Sequence, residues 1–600
     1  MDKNAIKKYA VWARNELIKR VSQKAQQFGI YPDKIVDVNS VNGEPLSEKQ
    51  SEQRKALIEK IRYRGFETVI DEVAFTWFNR FTAIRFMEVN GYLPSHVRVF
   101  TDEENRFNPQ IIAEAINLEF DILDIDKVYD LKNSNNDEEL FQYLLIVQCN
   151  DLHKILPRMF EQINDYTELL IPDHLLRDES VINRMITDIP EDNWQDQVQI
   201  IGWLYQYYNT EPKDRVFANL KKNIKISKEN IPAATQLFTP DWIVRYMVEN
   251  SLGRLWTEGH EDEELKSEWK YYLDEAEQEE DVQAELSKIR EEYRNLNPED
   301  IRCIDPCMGS GHILAYMFDV LMQIYGTCGY NNRDAVESIL ENNLFGLDID
   351  ERAAQLAYFS VMMKARQYDK RFFNRRDENG NSTAPQPHVY AVRDSRGITS
   401  APLHDMGISL SNEDCEKALK QTLQLIEEFK NASEFGSLLR VSADYDFDLL
   451  RRFAVPKGEE SGEITLDIHG EIEVSRRLQE IFNIADILTQ KYDVVVTNPP
   501  YMGSSGMNGT LSEFVKKYYP DSKSDLSTIF MEKCLEICTY NGYFSMINIP
   551  VWMFLLSYEK LRNNLLLENT IINMIYPGRG IFGSDFGTTV FVISKRYIKL

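Results

Sequence analysis

Asn498, Pro499, Pro500 and Tyr501 close the stretch "YDVVVTNPPYMG", in which a run of valines marks a buried strand. An amide, two imino acids and a phenol at a strand end suit one kind of chemistry. An exocyclic amine on a base or an amide is planar, and its delocalised lone pair attacks poorly. The Asn498 side-chain oxygen and the Pro499 backbone carbonyl are both acceptors. Bonds from the two N–H groups of such an amine would localise its lone pair and aim it at an electrophile. The prolines fix φ, hold the carbonyl direction and present no competing N–H. Tyr501 offers a flat face for a planar substrate drawn out of its helix, a contact worth roughly 1–3 kcal/mol per base. Alone, the tetrapeptide is a weak signal, because prolines after a strand also serve plain turns.

Two upstream segments add a ligand pocket. "CIDPCMGSGHIL" puts Asp305 at the end of a strand, then Pro306, then Gly309-Ser310-Gly311, then a helix. Glycines there permit a tight turn and let backbone N–H groups approach a ligand at a helix start. The spacing is not GxGxxG, and Asp305 would repel a pyrophosphate. A ligand with an ammonium group suits Asp305 better, and S-adenosylmethionine, with its amino-acid end and sulfonium, is such a ligand. "FGLDID" carries Asp348, Ile349 and Asp350 at the next strand tip, where an acid grips ribose hydroxyls in sheets of this kind. Asp348 is the expected ribose ligand, with Asp350 behind it or starting the next helix. Cys307 has no part in this scheme, since the amine attacks directly.

These residues need a frame. Six hundred residues exceed what one hydrophobic core usually supports, so two or more domains are expected. Residues 1–230 read as a mostly helical domain, and 231–600 as an α/β domain. "AIKKYAVWARNELIKRVSQKAQQFG" and "FETVIDEVAFTWFNRFTAIRFMEVNG" have apolar residues at helical spacing and stop at Gly29 and Asn90-Gly91. The aromatics of the second segment read as core. The basic residues of the first read as a solvated face. From Ile301 onward, "IRCIDP", "NLFGLDID", "HVYAVRD", "YDVVVTNPP", "GYFSMINIP" and "TTVFVISKR" read as buried strands between helices. That alternation predicts a doubly wound, Rossmann-like α/β sheet. Residues 258–299 read as an acidic helical insertion, protruding and solvated, and 444–482 as a second insertion, a hairpin or helix pair.

The formal net charge of −28 counts against DNA binding by the chain as a whole, so any such contact must be local or come from a partner. The seven cysteines show no CxxC pairing, which predicts reduced thiols and no zinc site. No signal peptide or membrane span is read, so a cytoplasmic protein without a membrane partner is expected.

Taken in order, "QLFTP…DPCMGSG…GLDID…NPPY" resembles the amino-group DNA methyltransferases of the adenine-N6 kind, over roughly residues 232–600. The resemblance implies an S-adenosylmethionine-dependent domain. It also implies that Thr239 and Pro240, in "TQLFTPDWIVRYMV", help to hold the methionine end of the cofactor. An acid or amide after the third strand is implied at the cofactor's adenine: Asp394 first, with Asn431 and Asp486 as rivals. An aromatic on the far face of a flipped base is implied among Phe582, Phe586 and Tyr597. With "FTWFNRFTAIRFMEVNGYLP" included, the chain resembles the PglX methyltransferases of BREX phage-defence systems. That implies site-specific adenine methylation of double-stranded host DNA as self-marking, with other phage-defence proteins as partners. "IPDHLL" lacks a following Glu-x-Lys, so no nuclease is read. Recognition of a DNA sequence is expected from a region or subunit outside these residues, with weak specific binding by the chain alone. Methylation of a protein glutamine, of RNA or of cytosine N4 stands as an alternative. So does a scaffold that senses phage DNA or proteins.

Overall fold

A computed structural model describes residues 1–600 except 42, 164, 221, 223, 228–229, 236, 379–381, 400–401, 408, 442–443, 456–470, 583–586 and 597–600. Packing divides the chain into two units. One is Met1–Pro212 with Met362–Ala384; the other is Lys213–Val361 with Pro385–Leu600. The sequence reading drew its boundary at residue 230 and kept 362–384 with the second domain.

The first unit is built on helices. Lys3–Gln27 starts where the Asp2 carboxylate accepts from the Asn4 and Ala5 N–H groups, each at 3.0 Å. It ends just before Gly29, at φ +74°. The helix Phe66–Val89 buries Trp77, Phe78 and Phe81 completely or nearly so, with Tyr208 4.6 Å from the Phe78 ring. These rings are core. Several cations of the first helix are tied down: Lys24 pairs with Asp173 at 2.6 Å, Arg20 with Glu16 at 2.6 Å, and Arg14 with Asp71. The face read as solvated is therefore partly neutralised by acids of the same unit.

The second unit carries a seven-stranded sheet. Its strands are β1 (Cys303–Asp305), β2 (Leu344–Asp348), β3 (His388–Ala391), β4 (Tyr492–Thr497), β5 (Cys538–Asn548), β6 (Thr570–Arg579) and β7 (Gly587–Ser594). Their order is β3-β2-β1-β4-β5-β7-β6. The first five run parallel, and β7 lies antiparallel to both β5 and β6. The order reverses between β1 and β4, the place where α/β sheets hold ligands beyond their strand ends. Strands such as β4, with Val494, Val495 and Val496 fully buried, are covered on both faces, which is why they read as continuous apolar runs. All six expected strands form. The unforeseen one is β6, which is half-buried and contains Pro577, an edge-strand composition that lacks the apolar signature.

The acidic insertion differs from expectation. It is not a protruding solvated arm. Trp269 is 3% exposed and donates from Nε1 to Gln323 Oε1 at 2.9 Å. The helix Glu280–Tyr293 buries Val282, Leu286 and Tyr293, and Asn541 Nδ2 donates to Glu292 at 2.9 Å. A sparse apolar set, spaced to meet one wall, was hidden among the acids. Among its described residues the second insertion is helical: Phe447–Phe453 packs on Glu471–Thr489, with Gln479 Nε2 donating to the Arg451 carbonyl at 2.8 Å.

Candidate active site

The turn after β1 is knitted to β2. Met308 N donates to Leu347 O at 3.0 Å, and Gly309 N donates to Asp348 Oδ2 at 2.8 Å. Asp348 Oδ1 accepts from Asp350 N at 2.8 Å, so the second acid stands behind the first. Gly311 caps the helix His312–Thr327 at φ +82°, where a Cβ would lie 2.8 Å from the Ala357 Cα. Gly309, at φ +52°, has open space where a Cβ would point. One glycine lets two elements touch; the other leaves room. The Ser310 carbonyl accepts from Ser360 Oγ at 3.1 Å, and the Pro306 carbonyl accepts from Ser437 Oγ at 2.5 Å. Ile349 is half-buried and packs against the core.

Asp305 is 0% exposed. Its Oδ1 accepts from Cys307 N at 3.0 Å and from Thr497 Oγ1 at 2.7 Å, while Oδ2 has no partner among the described residues. Burial pushes the Asp305 carboxyl up to about 7, and the nearby Asp348 charge adds to the rise. Burial likewise pushes Asp348 up to about 6. An orphaned acid oxygen beside an open glycine turn suits a cationic, polar ligand, and these residues fit S-adenosylmethionine. Burial also raises the Cys307 thiol, which keeps it un-ionised and unreactive.

Across the reversal point, β4 delivers Asn498. Its Nδ2 donates to Leu237 O at 3.2 Å and to Thr239 Oγ1 at 3.0 Å. Its Oδ1 accepts from the Tyr501 hydroxyl at 2.9 Å, and that hydroxyl also reaches Ile547 O at 3.1 Å. Burial raises the Tyr501 phenol, so it stays a donor. The amide is thus fixed from both sides, with its oxygen presented on a shared hydroxyl. Thr239 and Pro240 precede the helix Asp241–Val248, and the Thr239 carbonyl lies 3.1 Å from His312 Nδ1. The His312 ring stacks on Phe238 at 4.6 Å. Sequence reasoning missed Leu237, His312 and Thr497. Thr497 adjoins Asn498 in the chain, and His312 follows the glycine turn, so their positions were the available signal.

The residues expected near the cofactor's adenine separate clearly. Asp394, after β3, has its Oδ1 accepting from Ser433 N at 2.9 Å and from Ser433 Oγ at 2.7 Å. Asn431 bonds the Arg396 guanidinium in the same loop cluster. Asp486 lies on the helix leading into the start of β4, paired with Arg451 and accepting from Gln490 Nε2 at 2.8 Å. That is the opposite edge of the sheet from Asn498. Phe582 stands edge-on to Tyr501, with ring centroids 6.0 Å apart at 66°. Phe586 and Tyr597 lie outside the described residues.

Residues 342–582 match the family model described as Eco57I restriction-modification methylase. The chain is 39% identical over 633 aligned residues to the adenine-specific methyltransferase BrxX of Escherichia coli O9:H4 (strain HS). It is 38% identical over 644 to the adenine-specific methyltransferase PglX of Lacticaseibacillus casei (strain Zhang). Each match takes in 100% of this chain and 51% of the relative, so the chain spans about half the length of these curated relatives. No described helix is long and apolar enough to cross a membrane. The chain belongs to the family of BrxX and PglX, and it carries a restriction-modification methylase domain of the Eco57I type.

Proposed function

We propose that this chain holds the cofactor and the catalytic amide of a site-specific DNA methyltransferase, which modifies the N6 amine of an adenine flipped out of double-stranded DNA. The observation that carries the reading is the placement of Asn498 at the end of β4, beside the Asp305–Gly311 turn at the end of the neighbouring β1. S-adenosylmethionine, when bound there, supplies a methyl group on a positively charged sulfur. Asp305 answers the positive charge of its amino-acid end, Asp348 takes the ribose hydroxyls, and Asp394 meets the adenine. Gly309, Ser310, Gly311, Pro306 and Ile349 shape the floor. Thr239 and Pro240 close over the methionine end. Asn498 Oδ1 and the Pro499 carbonyl accept the two N–H bonds of the adenine amine and localise its lone pair. Pro500 holds that carbonyl in place and leaves no N–H to compete for it. Tyr501 stacks on the base. The marking serves self-protection in phage defence, alongside other defence proteins in the cytoplasm.

Tritium transfer from labelled S-adenosylmethionine to unmethylated duplex DNA tests this, with RNA and a glutamine-bearing protein as parallel substrates. Transfer to DNA alone, appearing as N6-methyladenine and abolished in Asn498→Ala, is the expected outcome. Transfer to protein or RNA instead would overturn the substrate class.

A further inference from the structure

The edge that carries Asn498 also carries three consecutive large apolar side chains in water. Phe554 is 74% exposed, Leu555 51% and Leu556 80%. Leaving such groups uncovered forfeits roughly 1.5–3 kcal/mol each, so their display calls for a reason. They do not sit on a loose loop. Arg562 Nη1 donates to the Trp552 carbonyl at 2.7 Å and to the Leu555 carbonyl at 2.6 Å. Trp552 is buried and donates from Nε1 to Asn548 Oδ1 at 3.1 Å, while Tyr558 is buried on the other side of the tip. The tip is braced at both ends and points three apolar chains outward.

Its place is fixed by the strands. Thr497 of β4 is level with Met546 of β5, and the Tyr501 hydroxyl bonds the Ile547 carbonyl. Phe554 is six chain steps beyond Asn548, so the tip lies within about 20 Å of the catalytic edge. The last turn of β6 ends at the same edge, because Arg579 pairs with Gly587 and Thr589 pairs with Asn548. There Tyr576 is 64% exposed, and Arg579 is exposed beside it. Charge changes here too. From Tyr501 to Leu600 the chain has ten Lys and Arg against eight Asp and Glu, whereas the whole chain is at −28. This stretch thus lacks the acidity that repels a phosphate backbone.

We propose that Phe554, Leu555 and Leu556 form an apolar wedge that enters the stacked bases of duplex DNA and helps to expel the target adenine toward Asn498. Rigid apolar side chains inserted between base steps unstack them and offset the cost of taking a base out of the helix. The proposal rests on the methyltransferase reading, and it adds a surface that the catalytic motifs do not contain.

The test uses the full chain and the double variant Phe554→Ser/Leu556→Ser, both on unmethylated plasmid DNA. Two readouts are taken: tritium transfer, and permanganate oxidation of thymines left unstacked in the bound DNA. The variant should lose about 10-fold in transfer and lose the permanganate-reactive thymines, with unchanged affinity for S-adenosylmethionine. Equal thymine reactivity in the two proteins would overturn the wedge, whatever happens to transfer. So would a variant that differs from wild type only in self-association by light scattering, which would make the patch a protein contact. A wild-type chain that unstacks thymines without transferring methyl would instead sink the catalytic reading and leave the wedge standing.

Discussion

Thr239 Oγ1 lies 3.0 Å from Asn498 Nδ2, joining two segments 259 residues apart in the chain. The threonine hydroxyl and the Leu237 carbonyl together fix which way the Asn498 amide faces. A side chain expected to hold cofactor thus also orients the residue proposed to hold substrate.

Thr239→Val removes that acceptor with little change in volume. One hydrogen bond is worth about 1 kcal/mol, so single-turnover methyl transfer should slow about 5- to 10-fold. Cofactor affinity by calorimetry should change less, and Thr239→Ser should restore the rate. A weakened affinity with an unchanged rate would return Thr239 to a pure cofactor role.

Asp305 predicts two pH effects. Its folded carboxyl sits near 7, above the ordinary value of 3.8, because burial favours the protonated form. Its contribution to ligand-free stability is therefore present at low pH and lost as pH rises from about 4 to about 7, a loss bounded by about 4 kcal/mol. Thermal unfolding of Asp305→Asn should show a flatter dependence across that window. A cationic ligand favours the carboxylate and lowers its pKa, so binding releases a proton below pH 7. Affinity for S-adenosylmethionine should rise toward pH 7 and level off above it, and the asparagine variant should lose that slope.

The two turn glycines should respond differently to alanine. At Gly311 the new Cβ meets the Ala357 backbone at 2.8 Å and the backbone is left-handed. Gly311→Ala should cost at least about 2 kcal/mol of stability by denaturant unfolding. Gly309→Ala meets nothing within 4 Å, so its stability cost should be about 1 kcal/mol. Its larger effect should appear in cofactor affinity, where the methyl group enters the open floor.

Tyr501 has two separable parts. Tyr501→Phe removes the hydroxyl that Asn498 Oδ1 and Ile547 O share, while keeping the ring. Transfer should fall only a few-fold. Tyr501→Ala removes the stacking face as well and should cost about 10- to 100-fold in transfer, with cofactor binding preserved.

The parallel strands and the turn motifs were legible in the sequence because their causes are local. A strand covered on both faces must be apolar throughout, and a tight turn with positive φ must use glycine. Asn498, Asp305 and Asp348 were identifiable because each ends such a strand. The edge strand β6 was not legible, since it is half-buried, carries Pro577 and owes its place to pairing with β7. The acidic insertion was misread for a related reason. Its charge dominates the composition, whereas burial of Trp269 and Tyr293 depends on walls supplied by distant residues such as Gln323 and Asn541. Residue types and spacing alone determined which groups could do chemistry and in what order they meet the sheet. Only tertiary structure decided that Thr239 holds Asn498, that Thr497 bonds Asp305, and that Asp486 faces the wrong edge. A hydrogen bond needs its partners within about 3 Å, and no local periodicity encodes that proximity across hundreds of residues.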